Sequence, residues 1–155
     1  MQNFTEIKQT ILTSAKENRA CSDEYKKALK STNLSELCKV LKDNFSWVCI
    51  HNIITPELLT KYRSEFAENE IWINCDTVSG YLLAYDSSKV KAYGYSTVEA
   101  YGSSTVEAYD SSYISCHTDI QCKISDNVII RRWNTNTIQY CDSEMKFEKV
   151  ETQRK

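Results

Sequence analysis

Residues 79–118 read SGYLLAYD, SSKVKAYG, YSTVEAYG, SSTVEAYD, SSYISCHT, the same eight-residue phrase written over and over with its closest copies between Ser87 and Asp110. The phrase continues in weaker form as DIQCKISD, NVIIRRWN, TNTIQYCD and SEMKFEKV up to Val150. A period of eight is not a helical one, and self-similarity at a fixed spacing signals stacked coils. In an extended strand the fourth and sixth residues of each octad point to one side, and the third, fifth and seventh to the other. The fourth-position row is Leu82, Val90, Val98, Val106, Ile114, Cys122, Ile130, Ile138 and Lys146. The sixth begins Ala84, Ala92, Ala100, Ala108, Cys116, Ile124. Branched beside small is the filling of a narrow core. Asp, Gly, Asn or Thr at the eighth position and Ser at the first favour turns. Each octad is therefore expected to form one short strand and one corner of a β-solenoid over residues 79–150, inside a domain spanning 69–150, with 151–155 as a tail.

Two coil sizes fit this pattern. Two octads per coil place Lys91, Glu107 and Lys123 in one alternating-charge column, whereas three pair Glu99 with Lys123 and Glu107 with Arg131. The sixteen-residue coil is the favoured expectation. It would also stack Tyr85, Tyr101, His117 and Trp133 from the seventh position beside Tyr81, Thr97, Tyr113 and Ile129 from the third. One face would then be aromatic and the other polar and charged. Stacked tyrosines either brace the corners of the solenoid or offer a docking face, since aromatic residues and arginine are enriched at interfaces. The candidate binding surface is Tyr81, Tyr85, Tyr101, Tyr113, His117, Ile129, Arg131 and Trp133.

Residues 1–68 read as helical, about four short helices in all. Ile7, Ile11, Leu12 and Ala15 mark one face of a first helix. Ser22 ahead of Asp23 and Glu24 reads as the cap of a second helix carrying Tyr25, Ala28 and Leu29 inward. Thr32 is placed to cap a third, with Leu34, Leu37, Val40 and Leu41 as its stripe. Thr55-Pro56-Glu57 is the clearest start signal, opening a fourth with Leu58, Leu59, Tyr62 and Phe66 on its buried side. Between them the run from Phe45 to Ile50 reads as a buried strand or connector. An open end of a solenoid exposes core and unpaired backbone, so these helices are expected to cap it. The expected class is α+β.

The chemistry-bearing residues are sparse. The seven cysteines, at 21, 38, 49, 75, 116, 122 and 141, contain no C-x-x-C pair, and the two histidines are His51 and His117. Cys49/His51 and Cys116/His117/Cys122 supply two or three ligands where a structural zinc site needs four. A Cys/His nucleophilic pair would need an exposed thiolate, and Cys49 lies in an apolar run. The three glycines, at 80, 94 and 102, form no phosphate loop. No catalytic residue, metal ligand or cofactor is expected, and the chain is not read as an enzyme.

Net charge is −2, with 10 basic and 9 acidic residues up to Glu68 and 9 basic and 12 acidic beyond it. Neither part has the basic excess of a phosphate-tracking surface. The longest apolar runs fall short of the roughly 18–20 residues that span a bilayer. The first residues lack the basic-then-apolar plan of a signal peptide, so a cytoplasmic protein with reduced thiols is expected.

The Val-x-Ala-Tyr-x-Ser-Ser run at 82–115 resembles the octapeptide repeats of uncharacterised β-solenoid proteins of bacteria and their phages. The segment LCKVLKDNFSW at 37–47 is similar to their helical lead-in. That resemblance implies a fold and carries over no activity and no catalytic residue. Arg132, at an inward position, departs from the pattern. The functional expectation is a non-enzymatic module that binds a protein. A concrete form is a phage or mobile-element inhibitor of a host macromolecule, such as an anti-CRISPR inhibitor of a nucleic-acid enzyme. The alternative is a structural component that assembles through its solenoid.

Overall fold

The computed structural model describes residues 2–77, 79–124, 127–141 and 147–151. Lys146 of the fourth-position row and tail residues 152–155 lie outside them. The chain forms two compact units, Met1–Ile71 and Trp72–Lys155.

Among its described residues the first unit holds six helices: α1 (Gln2–Glu17), α2 (Ser22–Lys30), α3 (Leu34–Asp43), α4 (Phe45–Ile50), α5 (Pro56–Lys61) and α6 (Arg63–Ala67). In α1, Ile7, Ile11, Leu12 and Ala15 are buried on the face that their spacing predicts. Two caps shift by one residue. Cys21, not Ser22, precedes α2. Asn33, not Thr32, caps α3: its side-chain oxygen accepts from the Glu36 amide at 2.9 Å, while the Thr32 amide donates to the Glu36 carboxylate at 2.7 Å. The return bond reaches the residue before the cap, a capping box displaced by one on that side, which leaves Thr32 one step outside the helix. Thr55 caps α5 with Pro56 in the first turn, as its sequence signal predicts.

Three readings need correction. Phe45–Ile50 is a helix with Phe45, Val48 and Cys49 buried, because i, i+3, i+4 burial is a helical face and a short apolar run alone does not decide between helix and strand. The helix after Thr55 is two, broken at Tyr62, whose φ of −115° and ψ of 41° are not helical. Leu29 is 51% exposed, so α2 contributes only Ala28 to the buried core.

The strands are β1 (Ile71–Ile73), β2 (Tyr81–Ala84), β3 (Lys89–Ala92), β4 (Thr97–Ala100), β5 (Thr105–Ala108), β6 (Tyr113–Cys116), β7 (Gln121–Ile124), β8 (Ile129–Arg132), β9 (Thr137–Cys141) and β10 (Phe147–Glu151). Parallel pairing joins Tyr81 to Thr97, Thr97 to Tyr113 and Tyr113 to Ile129. On the other side Lys89 pairs with Thr105 and Thr105 with Gln121. Each coil thus advances sixteen residues, and one sheet runs β1-β2-β4-β6-β8-β9-β10 while the other runs β3-β5-β7. The result is a solenoid of about three turns. Its core is the pair of inward rows: Leu82, Ala84, Val90, Ala92, Val98, Ala100, Val106, Ala108, Ile114, Cys116 and Ile130 are all buried.

The corners follow from the residues that make them. Asp86, Gly94, Gly102 and Asp110 have φ between +57° and +67°, the left-handed region that Gly enters freely and Asp tolerates. At Gly102 a side chain would also meet the Asp86 backbone oxygen at 3.0 Å. Two residues later a buried serine closes the corner: Ser96, Ser104 and Ser112 donate their hydroxyls to the carbonyls of Tyr93, Tyr101 and Tyr109 at 2.7, 2.9 and 2.8 Å. At these three corners the carbonyl supplies the partner that a buried hydroxyl needs, whereas the hydroxyl of Ser88, two residues after Asp86, is buried without one.

Coiling does not continue to Val150. After β8 the chain reverses through Trp133–Asn136, and β9 pairs antiparallel with β8, Arg132 opposite Thr137; β10 then pairs antiparallel with β9. Asn136 turns the backbone at φ +52° and accepts from Arg131 Nη2 at 2.8 Å. Arg132 occupies the inward row and cannot be packed like Ala. Its guanidinium instead donates to the Ile120 carbonyl at 2.8 Å and to the Gln139 side chain at 2.7 Å, closing the end of the core with satisfied polar groups.

Ile114→Ala should destabilise the chain by about 2–5 kcal/mol in chemical denaturation, since the filled core leaves no neighbour free to collapse onto the cavity. Gly102→Ala should cost about 1–2 kcal/mol in the same measurement, from the left-handed φ alone. Burial pushes the Cys38 thiol up to about 12. Folded protein at pH 9 should therefore leave Cys38 unalkylated by iodoacetamide while exposed Cys21 reacts. Because the unfolded thiol ionises first, that contribution to stability is intact below the unfolded value and falls as pH rises toward 12.

Candidate functional site

Sixteen-residue coils place chemically unlike residues of successive octads side by side on the outer face of the β2-β4-β6-β8 sheet. Three columns result: Tyr81, Thr97, Tyr113, Ile129; Leu83, Glu99, Ser115, Arg131; and, just past the strand ends, Tyr85, Tyr101, His117, Trp133. The last column is pinned by backbone bonds from one coil to the next. The amides of Tyr101, His117 and Trp133 donate to the carbonyls of Ala84, Ala100 and Cys116 at 2.9, 3.0 and 2.9 Å. His117 stacks on Tyr101 at 4.4 Å and on Trp133 at 6.1 Å between ring centroids, lying within 6° of parallel to Tyr101, while Tyr85 meets Tyr101 at 6.0 Å with its ring tilted by 39°. The Arg131 guanidinium lies 4.4 Å from the Trp133 ring centroid, a cation–π contact.

Beneath these rings lies a polar cluster. Glu99 is only 1% exposed, and His117 Nε2 is 2.5 Å from its carboxylate. An ionised carboxylate only accepts, and Nε2 is the donor in that pairing. Ser115 Oγ is 3.2 Å from the same nitrogen and accepts from Trp133 Nε1 at 2.9 Å. Serine, histidine and acid in contact suggest hydrolytic chemistry, but the wiring is wrong for it. A nucleophilic serine needs a free ring nitrogen as base, with the acid on the other nitrogen. Here both contacts converge on the same ring nitrogen, Nε2, so acid and serine do not sit on opposite sides of the imidazole. The cluster locks the face: Glu99, Ser115 and the ring nitrogens of His117 and Trp133 are joined to one another, and three coils are tied together.

All eight residues of the candidate surface fall on this face. Tyr85 and Tyr113 are each 37% exposed, Ile129 and Trp133 each 43%, while Tyr101 and His117 are largely enclosed. The sequence does not single out Glu99 or Ser115; Glu99 reads as one of several scattered surface acids until the coil length is known. The signal that finds it is its fifth position between two seventh-position rings of the same sheet. The opposite sheet is not free of aromatics: Tyr93 and Tyr109 stack there at 4.9 Å, and the Tyr109 hydroxyl donates to Glu107 at 2.9 Å. That sheet aligns Lys91, Glu107 and Lys123 in one column.

The Cys/His proximities do not converge. Cys116 points into the core and His117 out of the strand, as neighbours in a strand must. Cys49 is buried while His51 is exposed against Trp47. Among the described residues no group of three His, Cys, Asp or Glu is placed to hold a metal ion, and no helix is long and apolar enough to cross a membrane. The helical unit has an apolar cleft of about 210 Å³ between α1, α2, α3 and α4. Its one carboxylate, Glu24, is already paired with Lys27 at 2.5 Å and with Asn44 at 2.9 Å.

His117→Ala should cost more than its lost stacking, about 1–3 kcal/mol, because Glu99 is left buried without its donor. Combining it with Glu99→Gln should recover part of that loss. A coupling energy of about 0.5–3 kcal/mol in a double-mutant cycle is the expected result, read by denaturation with Trp133 emission as probe. No protein-family model matches the chain, and neither a curated protein nor a solved structure matches it, so the reading of this face rests on its geometry.

Proposed function

We propose that this is a non-enzymatic binding module that engages a partner protein through the aromatic face of its solenoid. The observation that carries the proposal is the combination of exposed Tyr85, Tyr113, Ile129 and Trp133 with the buried Glu99–His117–Ser115 cluster beneath them. Aromatic anchors held rigid before binding lose little freedom on docking, which is how a small surface gains affinity. Arg131 over Trp133 adds a planar donor set suited to the rim of such a contact. One cation among carboxylate and aromatic groups is a poor match for a phosphate backbone, so the partner is a protein rather than a nucleic acid. In this reading the chain acts in the cytoplasm by occupying a macromolecule, as octapeptide-repeat proteins of phages or mobile elements would when inhibiting a host nucleic-acid enzyme.

A second reading is an assembly component, and a specific feature favours it. Strand β7 ends the three-stranded sheet, with no strand beyond it among the described residues. An unpaired edge is a template for another chain. Size-exclusion chromatography with mass detection separates the two: the binding module is monodisperse and monomeric, the assembly component forms a defined higher oligomer.

The binding reading is tested by pull-down from the native host lysate, with and without nuclease, using the wild-type chain and Tyr113→Lys/Ile129→Lys. One protein retained through nuclease treatment and reduced about tenfold or more by the double variant is the expected result. Retention unchanged by the variant, or dependent on nucleic acid, refutes it.

A further inference from the structure

The third coil differs from the two above it in the residues that flank its first corner in the inward rows. In those coils the inward residues on either side of the first corner are Ala84 and Val90, then Ala100 and Val106, all in the buried core. The register places Cys116 under Ala100 and Cys122 under Val106. A small residue and a branched one are thus exchanged together for two thiols, and their sulfurs lie 3.7 Å apart. Cys116 is fully buried while Cys122 is partly accessible.

We propose that Cys116 and Cys122 are a redox-active dithiol, closing to an intrachain disulfide across the third coil when the protein meets a peroxide and reopening with a thiol reductant. Nothing in this depends on whether the aromatic face binds a partner. The two sulfurs need approach only from 3.7 Å to the roughly 2.05 Å of a disulfide. The two thiols are chemically unequal. The hydrogen bond from Cys116 and then the Arg132 guanidinium hold the Cys122 thiol below its ordinary range, against its burial. The same hydrogen bond and burial push Cys116 up. Cys122 is therefore the sulfur that attacks first, and a peroxide is small enough to reach it.

In the first step the Cys122 thiolate attacks one peroxide oxygen and the O–O bond breaks. Cys122 becomes a sulfenic acid, and the departing hydroxide takes a proton to leave as water. In the second, the Cys116 sulfur attacks the Cys122 sulfur and the S–O bond breaks. The Cys116 proton leaves with that hydroxyl as a second water. Two thiols and one peroxide give one disulfide and two waters, with two electrons passed to the peroxide.

The test uses the full chain carrying Cys21→Ser, which removes an exposed thiol. It is treated with hydrogen peroxide, blocked with iodoacetamide under denaturing conditions and cut before aspartate, so that cleavage at Asp119 parts the two cysteines. The expected product is a single species joining the Cys116 and Cys122 peptides, two hydrogens lighter than their sum and separated by dithiothreitol. Trp133 emission should change with closure, because Ser115 beside Cys116 holds its indole nitrogen. Cys116→Ala/Cys122→Val, which rebuilds the coil above, should fold and show neither the link nor the emission change. Recovery of both peptides unlinked and fully alkylated, or with Cys122 carried to sulfinic acid, overturns the proposal.

Discussion

Between the two parallel sheets of this solenoid there is room for one branched and one small side chain from each strand, and the rest of the unit is built around that limit on space. Val98 and Ala100 from one strand face Val106 and Ala108 from the next, all fully buried. A core this thin buries little apolar surface per residue, so the backbone ladder and the corners carry an unusual share of the order. The corners are correspondingly specialised. A left-handed Asp or Gly turns the chain, and a buried serine returns its hydroxyl to the carbonyl three residues back. Either device would be costly alone, since a left-handed residue is strained and a buried hydroxyl is desolvated. Repeated together they make a corner that stacks on itself.

Stacking at a fixed offset also decides what the outside looks like. Residues that differ between octads, such as Tyr101, His117 and Trp133, are brought ring over ring, because each is held by its amide to the coil above. The same offset draws Glu99 beneath His117 and Ser115 beside it. The regular octads supply the scaffold, and chemical individuality collects in the third and last coils. There, the core pair becomes two cysteines and the small inward residue becomes Arg132. Once an arginine has to be satisfied at the end of the core, another coil of the same kind has no apolar floor to stand on. The reversal into β9 covers the edge of β8 instead.

Much of this was legible along the chain. Alternation within the octads identifies the inward rows, the Asp/Gly and Ser positions identify the corners, and Thr55-Pro56 identifies where α5 begins. These are local signals: each depends on the stereochemistry of a few adjacent residues, and nothing distant competes with it. The helical face of α1 is legible for the same reason. The candidate aromatic columns needed one assumption more, the length of a coil.

Coil length, the reversal after β8, the helical state of Phe45–Ile50 and the Glu99–His117 contact belong to the tertiary structure. Charge columns of comparable quality fit coils of sixteen or twenty-four residues, so side-chain alternation could not choose between them; the pairing of Tyr81 with Thr97 does. An apolar run as short as Phe45–Ile50 satisfies strand or helix, and its neighbours decide. Glu99 is an unremarkable acid in its own octad and becomes the buried anchor of the face only when the next coil lays His117 over it. The octad alone determined what points inward. Which octads touch was decided by backbone pairing between distant strands, a choice that local periodicity leaves open because every strand of the repeat presents the same face.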